Sequence, residues 1–314
     1  MSERGAAKVR EGGARFGDLG LFLRGICMGA ADVVPGVSGG TMAFILGIYE
    51  TLVESIRRVG RPAFWQALLG GRIAEALALI NARFLLALGA GILAAVLSLA
   101  KLLSWLLRNH PVPLWSFFFG LILASVVVVS RRIDRWSPAL VGALVAGTAG
   151  AFWLVGLVPA ETPTAPWFLF LSGALAITAM ILPGISGSFI LVLLGKYQYV
   201  LDAVNTRDVV TLGWFVAGIA VGIVSFAQLL GWLFKRHHDL TVALLTGFML
   251  GSLRKVWPWK ADVLTRVDSH GDVVPLVQDN VLPAGIGGEE LAALGLALLG
   301  LLVVFAIEAG ARRR

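Results

Sequence analysis

Two short polar stretches lie inside hydrophobic sequence, and their residue types suit the binding of an anion. Residues 32–41 read DVVPGVSGGT and residues 180–189 read MILPGISGSF. Proline removes a backbone donor and interrupts a helix, and glycine lets the chain turn sharply. A helix opening at Ser38-Gly39-Gly40-Thr41 or at Ser186-Gly187-Ser188 presents unpaired N–H groups and a positive dipole end, worth roughly 0.3–1 kcal/mol toward a negative charge. Glycine lets a ligand reach the backbone, and the hydroxyls add donors. Ser38, Gly39, Gly40 and Thr41, with Ser186, Gly187 and Ser188, therefore form a candidate receptor for a phosphate-sized anion, just after the chain breaks at Pro35-Gly36 and Pro183-Gly184. The competing reading is that these small residues only let helices approach closely.

Charged residues near the two stretches extend the candidate site. Arg24 precedes the first and is placed to pair with a phosphate, or to act as a flanking topology charge. Asp32 has no acidic counterpart, since Met180 stands at the equivalent position. A carboxylate at membrane depth is costly and usually functional. Glu50 and Gln198 stand at equivalent places after the two stretches, with Lys196 close by. Lys101 aligns with Gln228, a paired polar position that suggests a cavity, although a lysine there can also reach outward along its stem. Glu308 reads as a flank residue. His110, His237, His238 and His270 form no metal-ligand spacing, and no cofactor is expected.

These residues must be positioned by membrane helices. The chain has 314 residues, 58% hydrophobic and 14% charged, with mean hydropathy +0.85. That composition belongs to polytopic membrane proteins. The net charge of +7 is not a nucleic-acid footprint, because the basic residues cluster at the ends of apolar segments. Cys27 is the only cysteine, so no intrachain disulfide can form. Residues 1–18 lack an apolar core, and no cleavable signal peptide is expected. Broken segments cover about 19–53 and 167–201, an interfacial amphipathic helix 54–83, and a polar loop 257–290. Spans are expected at about 84–107, 114–130, 138–157, 211–234, 240–256 and 291–308.

The chain is internally duplicated. Pro35-Gly36-Val37-Ser38-Gly39 aligns with Pro183-Gly184-Ile185-Ser186-Gly187 at an offset of 148, with Gly25 on Gly173, Gly47 on Gly195 and Tyr49 on Tyr197. Residues 88–110 align with 215–237 at an offset of 127, with Gly91 on Gly218, Trp105 on Trp232 and His110 on His237. Each repeat (19–157 and 167–310, within a single membrane domain 1–314) then holds one broken segment and three spans. If both broken segments are re-entrant hairpins and the termini are cytoplasmic, the inside carries 18 Lys/Arg and the outside 6; if both span, the count is 11 against 13. The positive-inside bias favours hairpins, and an odd number of crossings per repeat inverts the second repeat relative to the first. The expected fold is an all-α polytopic protein of two inverted repeats whose hairpin tips meet near the midplane.

The stretches RGICMGAADVVPGVSGGTMAFILGIYETLV and MILPGISGSFILVLLGKYQYVL resemble the paired motifs of the bacterial polyprenyl-phosphate transporter family. The resemblance covers essentially the whole chain. It implies movement of undecaprenyl phosphate from the outer to the inner leaflet of the cytoplasmic membrane, which recycles the lipid carrier of envelope polymers. It carries over to Arg24, Asp32, Pro35, Gly36, Ser38, Gly39, Gly40 and Glu50, and to Pro183, Gly184, Ser186, Gly187 and Ser188. Its implied partners are the lipid phosphate, the bilayer and a coupling proton or sodium ion. The second copy has Lys196 and Gln198 where the first has Ile48 and Glu50, so a symmetric acid pair is absent and proton coupling stays open. Rival readings are a transporter or channel for a small soluble anion and, with less support, a membrane lipid phosphatase.

Overall fold

The computed structural model describes residues 17–34, 37–267, 273–283, 285 and 287–312. Pro35 and Gly36 of the first motif lie outside the described residues, as do Arg4, Lys8, Arg10, Arg15, Asp268, His270 and Asp272.

Each half opens on four helices in the same rhythm, one medium, two short and one long, interrupted in the first half by an insertion of two further helices. The first half contains α1 (Asp18–Val33), α2 (Gly39–Ile45), α3 (Tyr49–Val59), α4 (Pro62–Leu69), α5 (Ile73–Leu79), α6 (Ala82–Asn109), α7 (Pro111–Ser130) and α8 (Pro138–Leu154). The second contains α9 (Pro166–Ile181), α10 (Gly187–Leu193), α11 (Tyr197–Asn205), α12 (Val209–Arg236), α13 (His238–Ser252), β1 (Lys260–Val267), β2 (Val273–Asn280) and α14 (Gly288–Arg312). Among the described residues, four helices, α6, α7, α12 and α14, are long and apolar enough to cross a membrane, and the chain is a multi-pass membrane protein. Two of the six expected spans are shorter than anticipated: α8 has 17 residues and α13 has 15. At about 1.5 Å per residue, α13 reaches only ~22 Å of the ~30 Å hydrocarbon core.

Two further expectations are corrected. Residues 54–83 do not form one interfacial helix. The chain breaks at Gly60-Arg61-Pro62 and again at Gly70-Gly71, where Gly71 has φ +72°, leaving the ends of α3, α4 and α5. Phe64, Ala67 and Ala76 make a small apolar cluster of their own there. The expected polar loop 257–290 contains an antiparallel β-hairpin, β1 on β2, with a bulge around Leu264.

Residues matched between the two halves make matching contacts. A β-carbon on Gly25 would collide with the Leu88 carbonyl oxygen, and one on Gly173 with that of Phe215. Likewise Gly91 abuts the Phe22 carbonyl, and Gly218 that of Phe170. These are one pair of contacts made twice, α1 on α6 and α9 on α12, at the offsets of 148 and 127. Such glycine-mediated backbone approach is how membrane helices pack without a hydrophobic driving force. The rings of Trp105 and His110 (5.3 Å) and of Trp232 and His237 (5.9 Å) repeat as well.

The remaining helices pack across the halves. Gly120 of α7 abuts the Ala297 carbonyl of α14, and Gly247 of α13 abuts that of Leu144 in α8. Gly300 meets the Phe117 carbonyl, and Gly147 that of Leu244. These contacts align α8 with α14 at an offset of 153, a correspondence that their Ala/Leu/Gly sequences conceal. One contact breaks the symmetry. α3 packs against α12, whereas its counterpart α11 makes no comparable contact with α6.

Candidate functional site

The two broken segments meet, and their polar residues bond to one another. α9 ends at Ile181, and Pro183 has no N–H with which to continue the chain's hydrogen bonding. The last carbonyls of a helix have no intrahelical partner, and an apolar medium offers none. The first half supplies partners. Ser38 Oγ lies 3.1 Å from the Leu182 oxygen and 3.3 Å from the Met180 oxygen, with its proton directed at this pair. The Tyr49 hydroxyl donates to the Ile181 oxygen at 3.1 Å. In return, the Gly184 N–H donates to Thr41 Oγ1 at 2.9 Å.

Glycine is required where the tips touch. A β-carbon on Gly40 would lie 2.5 Å from the Ile181 oxygen. Gly184 has φ +88°, a left-handed conformation that disfavours side chains, and its α-carbon faces Ser252 of α13.

The tips differ in how their helix N-termini are filled. Ser38 is the N-cap of α2, in extended conformation, and Oγ accepts the Gly40 N–H at 3.1 Å. Asp32 Oδ1 accepts the Gly39 N–H at 2.7 Å. A carboxylate of the chain itself therefore stands where an anion at this helix end would stand. α10 has no such arrangement: Ser186 makes no capping bond, and its hydroxyl pairs instead with Ser188 Oγ at 2.7 Å. All seven residues of α2 are buried, whereas in α10 only Gly187 and Leu193 are.

The other candidate residues are dispersed. Arg24 lies on α1, where Nη1 donates to the Gly20 oxygen at 2.9 Å, two turns from Asp32. Glu50, at the start of α3, is exposed and pairs with His238 Nε2 at 3.3 Å. Lys101 is exposed on α6, while its counterpart Gln228 on α12 exchanges hydrogen bonds with Arg57: Arg57 Nε donates to Oε1 at 3.2 Å and Nε2 donates to the Arg57 oxygen at 2.7 Å. Lys196 is only 2% exposed, donates to the Thr162 oxygen at 2.7 Å and lies over the rings of Phe168 and Tyr199. Gln198, the counterpart of Glu50, donates to Asp202 at 3.1 Å. Among the described residues, no group of three His, Cys, Asp or Glu is placed to hold a metal.

Sequence reasoning aligned Tyr49 with Tyr197 without assigning it a role. Only the first tyrosine reaches the tips, since Tyr197 is 36% exposed. It also missed Arg132, which donates to the Phe44 oxygen at 3.1 Å at the far end of α2. Arg132 carries no motif, and its position just beyond α7 looked like an ordinary topology charge.

With the site described, comparison with known proteins identifies the family. The undecaprenyl phosphate translocase-like family model matches residues 28–274, which include both tips. The chain belongs to this family. Among curated relatives in it, the polyprenyl-phosphate transporter of Vibrio cholerae serotype O1 is 46% identical over 296 residues, covering 92% of this chain and 96% of the relative. The polyprenyl-phosphate transporter of Staphylococcus aureus is 35% identical over 260 residues, covering 76% of this chain and 85% of the relative. No solved structure matches the chain.

Proposed function

We propose that this protein is a polyprenyl-phosphate transporter of the bacterial cytoplasmic membrane. It carries undecaprenyl phosphate from the outer to the inner leaflet, with the phosphate held between the two tips and the polyprenyl tail left in lipid. The names of its relatives support the substrate. The observation that carries the mechanism is the docking of one tip on the other through Ser38, Thr41 and Tyr49. A phosphate entering between them replaces these bonds. It meets the uncapped Ser186–Ser188 pair on one side and the Ser38–Thr41 hydroxyls on the other. Asp32 already neutralises the end of α2, so the second tip supplies more of the binding.

The two repeats, read as inverted, supply the movement. α3 rests on α12 through Arg57 and Gln228, with Gly60 against Val224. The equivalent positions in the other pairing are Asn205 and Lys101, and they belong to helices that are not packed together. Exchanging the two arrangements yields the alternate state. α3 leaves α12, α11 settles on α6, and Lys101 meets Asp202, the counterpart of Glu54. Access then alternates around the tips.

The test is reconstitution of the purified protein into vesicles with a labelled polyprenyl phosphate. Movement between leaflets faster than in protein-free vesicles, and absent for the corresponding alcohol, is the expected result. Equal rates with and without protein would overturn the proposal.

A further inference from the structure

Two lysines stand beside the second tip with no acidic partner among the described residues. Ser252 packs against Gly184, and three residues later Lys255 Nζ lies 4.9 Å from the centre of the Phe189 ring, next to Ser188 in α10. Lys260 Nζ donates to the Lys255 oxygen at 2.6 Å and lies 4.4 Å from the centre of the buried Trp115 ring on α7. Both side chains are half-buried. Among the described residues, no carboxylate pairs with either ammonium.

The segment that carries them is fixed in place. Asn280 Nδ2 donates to the Arg254 oxygen at 2.8 Å, and the Val281 N–H donates to the Trp259 oxygen at 3.1 Å. Trp257 Nε1 donates to the Val281 oxygen at 2.9 Å. The exit of the β-hairpin thus ties down residues 254–259, and Arg254 Nη1 anchors them to α8 by donating to the Phe152 oxygen at 2.9 Å. Two like charges gathered and desolvated without a counter-ion are unfavourable, and aromatic faces offset only part of that cost. Burial and the proximity of Lys255 push the Lys260 pKa down to about 7.

We infer that Lys255 and Lys260 form a binding site for a phosphate monoester attached to an apolar chain, adjoining the second tip. A phosphate brings nearly two negative charges and several acceptor oxygens, enough for both ammonium groups. Phe189 and Trp115 give the site an apolar floor for the first part of the chain. This site rests on the transporter reading and deepens it: it takes the head group before the tips part.

Binding of farnesyl phosphate, farnesol and inorganic phosphate to the purified protein in detergent tests the site by calorimetry. The expected result is that farnesyl phosphate binds and that Lys255→Gln with Lys260→Gln raises its Kd about tenfold or more, as charge-assisted bonds are worth. Arginine at both positions keeps the Kd near that of the unaltered protein, and melting temperatures show that the variants fold. An unchanged Kd in the glutamine variant overturns the site. Inorganic phosphate binding as tightly as farnesyl phosphate overturns the amphiphilic ligand. The leaflet-movement assay separates the two proposals: transport with an unaltered Kd in the glutamine variant removes only the lysine site. A raised Kd in the variant, with no transport by the unaltered protein, removes only the transporter reading.

Discussion

The Gly39 N–H donates to Asp32 Oδ1 at 2.7 Å, so a carboxylate of the first half caps the helix that its own tip opens. Met180 stands at the equivalent place in the second half, and Ser186 makes no capping bond. The duplicated motif is therefore chemically unequal: the first helix end is met by a carboxylate of its own half, and the second has no capping side chain, its two hydroxyls bonding to each other.

This relationship fixes what substitutions at Asp32 do. Asp32→Asn retains an oxygen that can accept from Gly39 and keeps the fold. Asp32→Ala leaves a buried N–H unpaired at a cost of about 1–3 kcal/mol. Thermal unfolding in detergent checks this, with the alanine variant melting below the asparagine variant.

Gly40 sets how closely the tips approach. Its missing side chain leaves room for the Ile181 oxygen, 2.5 Å from where a β-carbon would stand. Gly40→Ala forces the tips apart and strains the Ser38 and Tyr49 bonds to residues 180–182. Transport in reconstituted vesicles falls well below that of the unaltered protein, while Gly213→Ala, a position with open space, leaves it unchanged.

In the proposed cycle, the contact between α3 and α12 belongs to one state. In a Cys27→Ser background, cysteines at 57 and 228 joined by a short reversible cross-linker arrest transport, and reductant restores it. Cysteines at 101 and 202 cross-link only when the protein turns over. Equal cross-linking of the second pair in a transport-dead protein would refute the exchange of the two arrangements.

Binding to the lysine site depends on pH. The folded protein holds the Lys260 proton less tightly than the unfolded chain does, with a pKa of about 7 against an ordinary 10.5. The protonated lysine therefore opposes folding below pH 7, and this cost fades as pH rises from 7 toward 10.5. Farnesyl phosphate gains its second charge near pH 6, whereas Lys260 loses its charge above 7. Affinity thus peaks between these values, and Lys260→Arg removes the descending side. Calorimetry from pH 5.5 to 9 follows both limbs.

Much of the framework can be read from residue order. The paired Pro-Gly-x-Ser-Gly motifs and the Trp–His pairs reveal the duplication because Pro, Trp and His are rare in the chain. The correspondence of α8 with α14 is hidden, because Ala, Leu and Gly recur everywhere and the β-hairpin moves the offset from 127 to 153. The docking of Ser38, Thr41 and Tyr49 on residues 180–184 is equally hidden. It depends on which carbonyls Pro183 leaves unpaired, and spacing says nothing of their partners. Lys101 is exposed, whereas Lys196 is buried against the Thr162 oxygen. Charge type in a sequence does not distinguish these settings.

The most direct measurement is the rate at which a labelled polyprenyl phosphate crosses between leaflets in vesicles holding the unaltered protein or a Ser38→Ala, Ser186→Ala variant. Folding of both proteins is verified by melting temperature. The account predicts rapid, protein-dependent movement that the double substitution reduces about tenfold or more, the worth of a charge-assisted hydrogen bond. Undiminished movement in the folded variant would contradict it.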